Sequence, residues 1–285
     1  MSTGDTQQYI DTQRTDWNRV APGWEKWDRV LDDNLAFVNY RLVGDARLRP
    51  GHRVLDLGSG TGYPAVLAAQ AVGNGGEVVG LDLAEEMLDV ARRKAAGLGL
   101  ANLSFRPADV TTLPFEPASF DAVITRFCLM FLPDVARAVA EIARVVKPGG
   151  YVAAAVWSAP DKNPYLRAPI DVIKTLTEVP TPAPDQPGIF RLAKPGDLLG
   201  MMERAGLAGL ADDEMIGESP FASAQEYLDS LLDIAAPIQN LLTKLDAAQR
   251  GAAQEGIKRA ADSYRRDGGI ALPMAIRVVV ARKPA

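Results

Sequence analysis

The segment 54-VLDLGSGTG-62 constrains the chain more than any other stretch. An apolar, β-branched run ends in glycines at 58, 60 and 62, and residues 63–72 continue at helical spacing. Those glycines permit positive φ and carry no side chain, so backbone amides in the strand-to-helix turn approach a ligand closely. The positive end of the following helix favours an anionic group there. A dinucleotide turn has the spacing Gly-x-Gly-x-x-Gly. Counted from Gly58, Tyr63 stands where its third glycine belongs, and counting from Gly60 also fails. The turn therefore speaks against a nicotinamide-dependent oxidoreductase.

Around this turn the pattern alternates. Strands are expected at 53–58, 77–82, 103–109, 120–126 and 151–157, with helices at 63–72, 84–97 and 134–146. Such alternation builds right-handed βαβ units and a doubly wound parallel sheet. Asp82 ends the second strand, about twenty residues past the turn, where an acid takes both hydroxyls of a ribose. Asp109 ends the third, in 108-ADVTTLPF-115. All these strand ends share the edge where such sheets bind ligands.

Residues 1–50 read as helices broken at Pro22-Gly23 and hold Trp17, Trp24 and Trp27, three of the four tryptophans. Residues 158–196 carry eight prolines, Pro182 and Pro184 among them, with a short helix near 167–178. A helix follows at 196–206, then one or two helices over 221–265 broken at Ala236-Pro237, then a closing strand at 274–283. Three parts are expected: an N-terminal helical lid (1–50), a cofactor-binding core (51–157), and a cap insertion with helices and closing strands (158–285).

The chain has one histidine, His52, and one cysteine, Cys128, in 285 residues. A disulfide and a Cys/His zinc site both lack partners. Ser–His–Asp or Cys–His chemistry would rest on His52 alone, which precedes the first strand at the end opposite the ligand edge. Net charge is −5 and no cationic stretch runs along the chain, so nucleic acid is not an expected partner. No apolar run approaches a membrane span, and the polar start at Met1 and Ser2 has no signal-peptide pattern. A cytoplasmic protein is expected.

Five motifs in order, 54-VLDLGSGTG-62, 82-DLAEEML-88, 108-ADVTTLPF-115, 120-FDAVITR-126 and 146-VKPGG-150, resemble the class I S-adenosylmethionine-dependent methyltransferases. The branch resembled holds the ubiquinone/menaquinone-biosynthesis C-methyltransferases and natural-product small-molecule methyltransferases. The resemblance implies an α/β fold: a doubly wound, mostly parallel, seven-stranded Rossmann-like sheet with an N-terminal helical lid and a helical cap. It implies S-adenosyl-L-methionine as cofactor and S-adenosyl-L-homocysteine as product. Asp56, Gly58, Ser59, Gly60 and Gly62 would surround the methionine part, Ser59 through its backbone amide. Asp82 would take the ribose, Leu83 and Met87 the faces of the adenine, Asp109 and Val110 its amino edge. Arg126 would lie beside the methionine and the methyl group. The residues alone read Leu83 and Met87 equally as a helix-packing pair, and Asp109 also as the cap of a turn.

Trp17, Trp24, Phe127, Met130, Phe131 and Trp157 would wall an apolar pocket for a small aromatic, polyketide, quinone-like or terpenoid acceptor. Tyr63 reads as facing either cofactor or core, and Cys128 as a small core residue. Arg126 and Arg191 are the cations for an anionic group, Arg191 reading as an exposed loop residue. No catalytic base is singled out; Tyr9, Asp16, Asp161 and Tyr165 are the nominees. In-line transfer by positioning and desolvation follows. The alternative is a cofactor-bound enzyme of the same fold that performs a rearrangement or cyclisation. The oligomeric state, monomer or homodimer, is not in the sequence.

Overall fold

The strands are buried where the sequence is densest in β-branched residues. In the computed structural model β1 (Arg53–Leu57), β2 (Glu77–Asp82), β3 (Leu103–Pro107), β4 (Phe120–Arg126) and β5 (Val146–Trp157) lie parallel. The structure describes residues 3–180, 183 and 185–285, so Met1, Ser2, Pro182 and Pro184 lie outside the described residues. Val54, Leu55 and Leu57 of β1 are wholly buried, as are Val78, Val79 and Leu81 of β2. That is the pattern of strands covered on both faces by helices.

The sheet runs β3-β2-β1-β4-β5-β8-β6, closed by the long antiparallel strands β6 (Ala208–Phe221) and β8 (Gly269–Arg282). A two-residue strand, β7 (Arg265–Arg266), hangs on β8 as the eighth. From β1 the chain winds outward to β2 and β3 on one side and to β4 and β5 on the other. This reversal opens a crevice at the carboxyl ends of β1 and β4.

Helices cover both faces. α1 (Thr3–Lys26) and α2 (Asp28–Asp45) come first, then α3 (Ala65–Val72), α4 (Glu85–Gly97) and α5 (Val135–Val145). The helix expected at 167–178 is α6 (Pro164–Lys174), with Pro164 in its first turn, where the missing N–H is harmless. α7 (Asp197–Arg204) follows, and three helices, α8 (Ala224–Ile234), α9 (Ala236–Leu242) and α10 (Ala247–Asp262), replace the one or two expected. No described helix is long and apolar enough to cross a membrane.

Two expectations fail for instructive reasons. α1 runs through Pro22 and breaks at Trp27, because the i→i−4 bonds resume at once: Trp27 N donates to Gly23 O at 3.0 Å, and Leu31 N to Trp27 O at 2.9 Å. Gly23 serves close approach instead, since a Cβ there would stand 2.2 Å from the Asp233 carbonyl oxygen of α8. Of the closing strands expected, only one has bounds in the sequence reading: β6 falls at 208–221, where that reading places no strand, and β8 begins at Gly269 rather than at 274. β6 lies at the sheet's edge, so Asp213 and Glu218 reach solvent, while Asp212 pairs with Arg277 at 2.7 Å and Glu214 with Lys162 at 2.6 Å.

Candidate active site

Gly58 (φ +67°), Gly60 (φ +50°) and Gly62 (φ +110°) turn the chain from β1 into α3. A Cβ on Gly58 would stand 2.5 Å from Cys128 Cβ, whereas one on Gly60 would meet nothing within 4 Å. Gly62 instead lets α4 close in, with Ala91 Cβ 3.4 Å from where its own would be. The loop's amides are partly committed to the protein. Ser59 N donates to Leu81 O and Gly62 N to Ser59 O, both at 2.9 Å. Asp82 Oδ2 accepts from Gly60 N at 2.9 Å and Oδ1 from Ala84 N at 3.0 Å. The loop thus presents shape and open space more than free amides, and Asp82 fixes it. Burial raises the Asp82 carboxyl above the usual range, while the Ala84, Gly60 and Leu83 amides pull it back.

One cavity gathers most of the expected residues. Gly58, Ser59, Gly60, Asp82, Leu83, Met87, Asp109, Val110 and Arg126 line it, together with Trp17, Trp24, Phe127, Phe131 and Trp157. It holds about 1690 Å³ free of protein atoms, part of it open to solvent. Asp109 both faces the cavity and caps the next turn, Oδ1 accepting from Thr111 N and Oγ1 at 2.8 Å each. Met87 likewise does two things: it lines the cavity and packs with Val20, Ala21 and Ala84 between α1 and α4.

Three expected residues lie elsewhere. Gly62 faces α4. Met130 is wholly buried in the main core and stays out of the cavity lining, because the tight turn Leu129–Phe131 sends its side chain inward while Phe131 reaches the cavity. Asp56 lies fully buried outside the lining, and neither carboxylate oxygen has a hydrogen-bond partner. Burial pushes that carboxyl up to about 8, against the pull of the Arg126 charge. Ser59 Oγ is also buried without a partner, against the face of Gly80, where a Cβ would come within 2.8 Å of it. The free space above Gly60 and the carboxylates of Asp82 and Asp109, at and just past the ends of β2 and β3, suit a nucleoside bearing a zwitterionic tail.

Arg126 turns toward α2. Its Nη1 donates to Asn39 Oδ1 at 2.6 Å, and Asn39 Nδ2 donates to Asp32 Oδ1 at 3.1 Å. Burial lowers the guanidinium to about 10, with Asp56, Asp32 and Asp28 pushing it back up. Tyr63 sits on the core side of this group, its ring centroid 4.5 Å from Lys94 Nζ.

The opposite end is apolar. Phe127, held in the left-handed region at φ +57°, stacks on Trp157 at 4.2 Å with parallel rings. Trp17 touches Trp24 and Phe131 edge to face, at 6.2 and 5.8 Å. Leu31, Leu35, Tyr165 and Met274 continue the wall. Asn34 and Ser219, absent from the sequence reading, also line it and are joined by a 2.7 Å hydrogen bond. A signal for Asn34 existed: it is polar and stands on the buried stripe Leu31–Leu35–Val38–Leu42.

The nominees for a base separate clearly. Asp16 pairs with Arg19 at 2.8 Å and accepts from Asn240 Nδ2 at 2.9 Å, outside the cavity lining, and Asp161 is outside it too. His52 stands before β1, accepting from Arg49 N at 3.3 Å. Tyr9 and Tyr165 line the cavity, and burial pushes both up to about 12. Cys128 lines it as well, rather than serving only as core, and burial raises its thiol further. Arg191 is half-buried rather than exposed, donating to the Leu132 and Pro133 carbonyls.

Residues 55–154 match the family model described as the methyltransferase domain. The demethylmenaquinone methyltransferase of Staphylococcus aureus strain MRSA252 is 38% identical over 141 residues, 48% of this chain and 57% of that protein. The chain thus matches little more than half the length of this curated relative. Among solved structures, the YcgJ protein of Bacillus subtilis superposes with a TM-score of 0.58 at 23% identity, over 87% of this chain and 98% of that one. The [4+2]-cyclase SpnF does so with a TM-score of 0.55 at 19% identity, over 94% and 96%. At such identities the two share the fold.

Proposed function

We propose that this chain, whose core is a class I S-adenosylmethionine-dependent methyltransferase domain, transfers the cofactor's methyl group to a small, largely apolar or aromatic acceptor. The observation that carries this reading is the division of one cavity into a polar end on β1–β4 and an apolar end walled by α1, α2 and the cap. S-Adenosylmethionine supplies a sulfonium methyl that leaves a neutral thioether behind, S-adenosylhomocysteine being the product.

The chain's residues divide the remaining work. Asp82, already fixed by two amides, accepts from the ribose hydroxyls. Leu83 and Met87 flank the adenine, and Asp109 and Val110 meet its edge. Gly58, Ser59 and Gly60 form the methionine side, with Arg126 next to it, while Asp56 and Gly62 shape the turn from behind. Phe127, Trp157, Trp17, Trp24 and Phe131 orient the acceptor and exclude water, so rate comes from alignment and from a dry, fixed electrostatic surrounding. Tyr9, Tyr165 and Cys128 hold their protons at neutral pH, since burial raises all three. An acceptor that is nucleophilic without a protein base fits this site best.

The experiment is direct. Purified protein is incubated with S-adenosylmethionine and a panel of quinols, phenols and enolisable ketones, and both S-adenosylhomocysteine and methylated acceptor are followed by mass spectrometry. Product in both channels supports transfer. Cofactor that binds yet is never turned over, while an acceptor is rearranged, would favour the cyclase-like alternative.

A further inference from the structure

The charged groups of the cavity are all at one end. Among the described residues its charged lining side chains are Asp82, Asp109 and Arg126, at or just past the ends of β2, β3 and β4. Ser219 lies on β6, four strand positions from β1 in the sheet order. At the usual strand spacing that is roughly 19 Å from the glycine turn. A ligand group at Ser219 therefore belongs to the acceptor, not to a cofactor seated on β1–β3.

Asn34 and Ser219 form a bonded polar pair at that end, set with the phenol of Tyr165 into a wall of Leu31, Leu35, Trp157 and Met274. They are 7% and 1% exposed. Their mutual bond, Asn34 Nδ2 to Ser219 Oγ at 2.7 Å, uses one amide hydrogen and one hydroxyl lone pair. The Asn34 carbonyl, its second N–H and the Ser219 hydroxyl hydrogen remain, and no described residue takes them up. Two dipoles in an apolar wall, each with capacity left over, are a recognition element for a matching dipole. With no charged side chain lining that end, a carboxylate or ammonium placed there would lose its hydration without compensation.

Building on the methyltransferase reading, we propose that the Asn34–Ser219 pair anchors one uncharged oxygen of the acceptor, a carbonyl or hydroxyl, on the part of an otherwise apolar molecule remote from the methylated atom. It selects oxygenated over purely hydrocarbon acceptors and fixes which end of the molecule points at the methyl group.

The test uses the full chain saturated with S-adenosylhomocysteine and three probes of one shape: indane, 1-indanone and indane-1-carboxylate. Binding is read by calorimetry in wild type, Asn34→Leu and Ser219→Ala. Wild type is expected to prefer 1-indanone to each of the other two by about tenfold, the worth of one buried hydrogen bond. In both variants the preference over indane collapses toward parity, while S-adenosylhomocysteine affinity is retained. Equal binding of indane and 1-indanone by wild type, or failure of 1-indanone to bind, overturns the proposal. So does a preference that survives in folded variants whose melting temperature has dropped, because the pair would then only pin α2 to β6. A wild type that takes no S-adenosylhomocysteine fails at an earlier point, the methyltransferase reading itself.

Discussion

The indole N–H of Trp24 donates to the carbonyl of Ile234, 3.1 Å away, so the N-terminal helix and the cap meet in one seam. Around that bond Trp27 Nε1 and Lys26 Nζ both reach Asp233 Oδ2, at 2.8 and 2.7 Å, and Arg19 reaches Asn240 at 2.7 Å. Trp24 and Ile234 both line the cavity. The roof of the site is therefore one structure made of two remote stretches of chain.

Gly23 sits where that seam is tightest. Gly23→Ala puts a methyl 2.2 Å from the Asp233 carbonyl oxygen, which is main chain and cannot swing away. A loss of about 1–3 kcal/mol, typical of overpacking, is expected, with earlier proteolysis of α1. Gly44→Ala is the control: nothing lies within 4 Å of its new methyl, and a helical position gains up to about 1 kcal/mol. Urea denaturation of both variants reads the difference; equal effects would remove the seam from the account.

Asp82→Ala takes away the proposed ribose acceptor and frees the Gly60 and Ala84 amides together. Affinity for S-adenosylhomocysteine is expected to fall at least about a hundredfold, since hydrogen bonds to a charged group are worth about 1.5–3 kcal/mol each. Calorimetric titration measures it. Unchanged affinity in the folded variant would sink the ribose assignment.

Asp56 predicts a pH dependence of the cofactor-free protein. Its carboxyl rises from 3.8 to about 8 on folding, chiefly through burial. Between those values the folded state holds a proton that the unfolded chain has released, so this residue's contribution to stability falls as pH rises through that window. Asp56→Asn removes the titration. Unfolding free energies at pH 5 and pH 8 are expected to lie closer together in the variant than in wild type; an identical gap would falsify the assignment.

Met130 and Phe131 are neighbours in sequence with opposite surroundings. Met130→Ala empties a fully buried site and is expected to cost about 2–5 kcal/mol of stability. Phe131→Ala opens the cavity wall beside Trp17 and is expected to raise acceptor KM with a smaller loss of stability. Thermal melts and steady-state kinetics on the two variants separate the roles. The reverse pattern would restore Met130 to the pocket.

The parallel half of the sheet was legible because strands buried on both faces announce themselves as short, densely apolar runs, and β1, β2, β4 and β5 do so. The glycine turn and the acids after β2 and β3 were legible for a related reason: their placement depends on a few residues of local chain. What escaped depends on partners far away. β6 is an edge strand whose acids are answered by remote partners, Asp212 by Arg277 and Glu214 by Lys162; Pro22 is tolerated inside α1, and Gly23 has its reason 210 residues downstream at Asp233. Asn34 and Ser219 are 185 positions apart, so neither marks the other in the sequence. The polar end of the cavity is local and reads easily, whereas the apolar end is assembled from remote segments.

β8 also has a consequence for how the protein is made. It follows β6 in the chain by nearly fifty residues, yet it lies between β5 and β6 in the sheet. Until residues 269–282 leave the ribosome, β5 keeps an open edge and β6 has no neighbour to pair with. The half bearing the glycine turn is complete long before, exposed along one side in the manner that invites wrong pairing between chains. During synthesis, burial of that edge awaits a single late strand, and the part of the cavity wall that β6 and β8 carry comes into being in the same event.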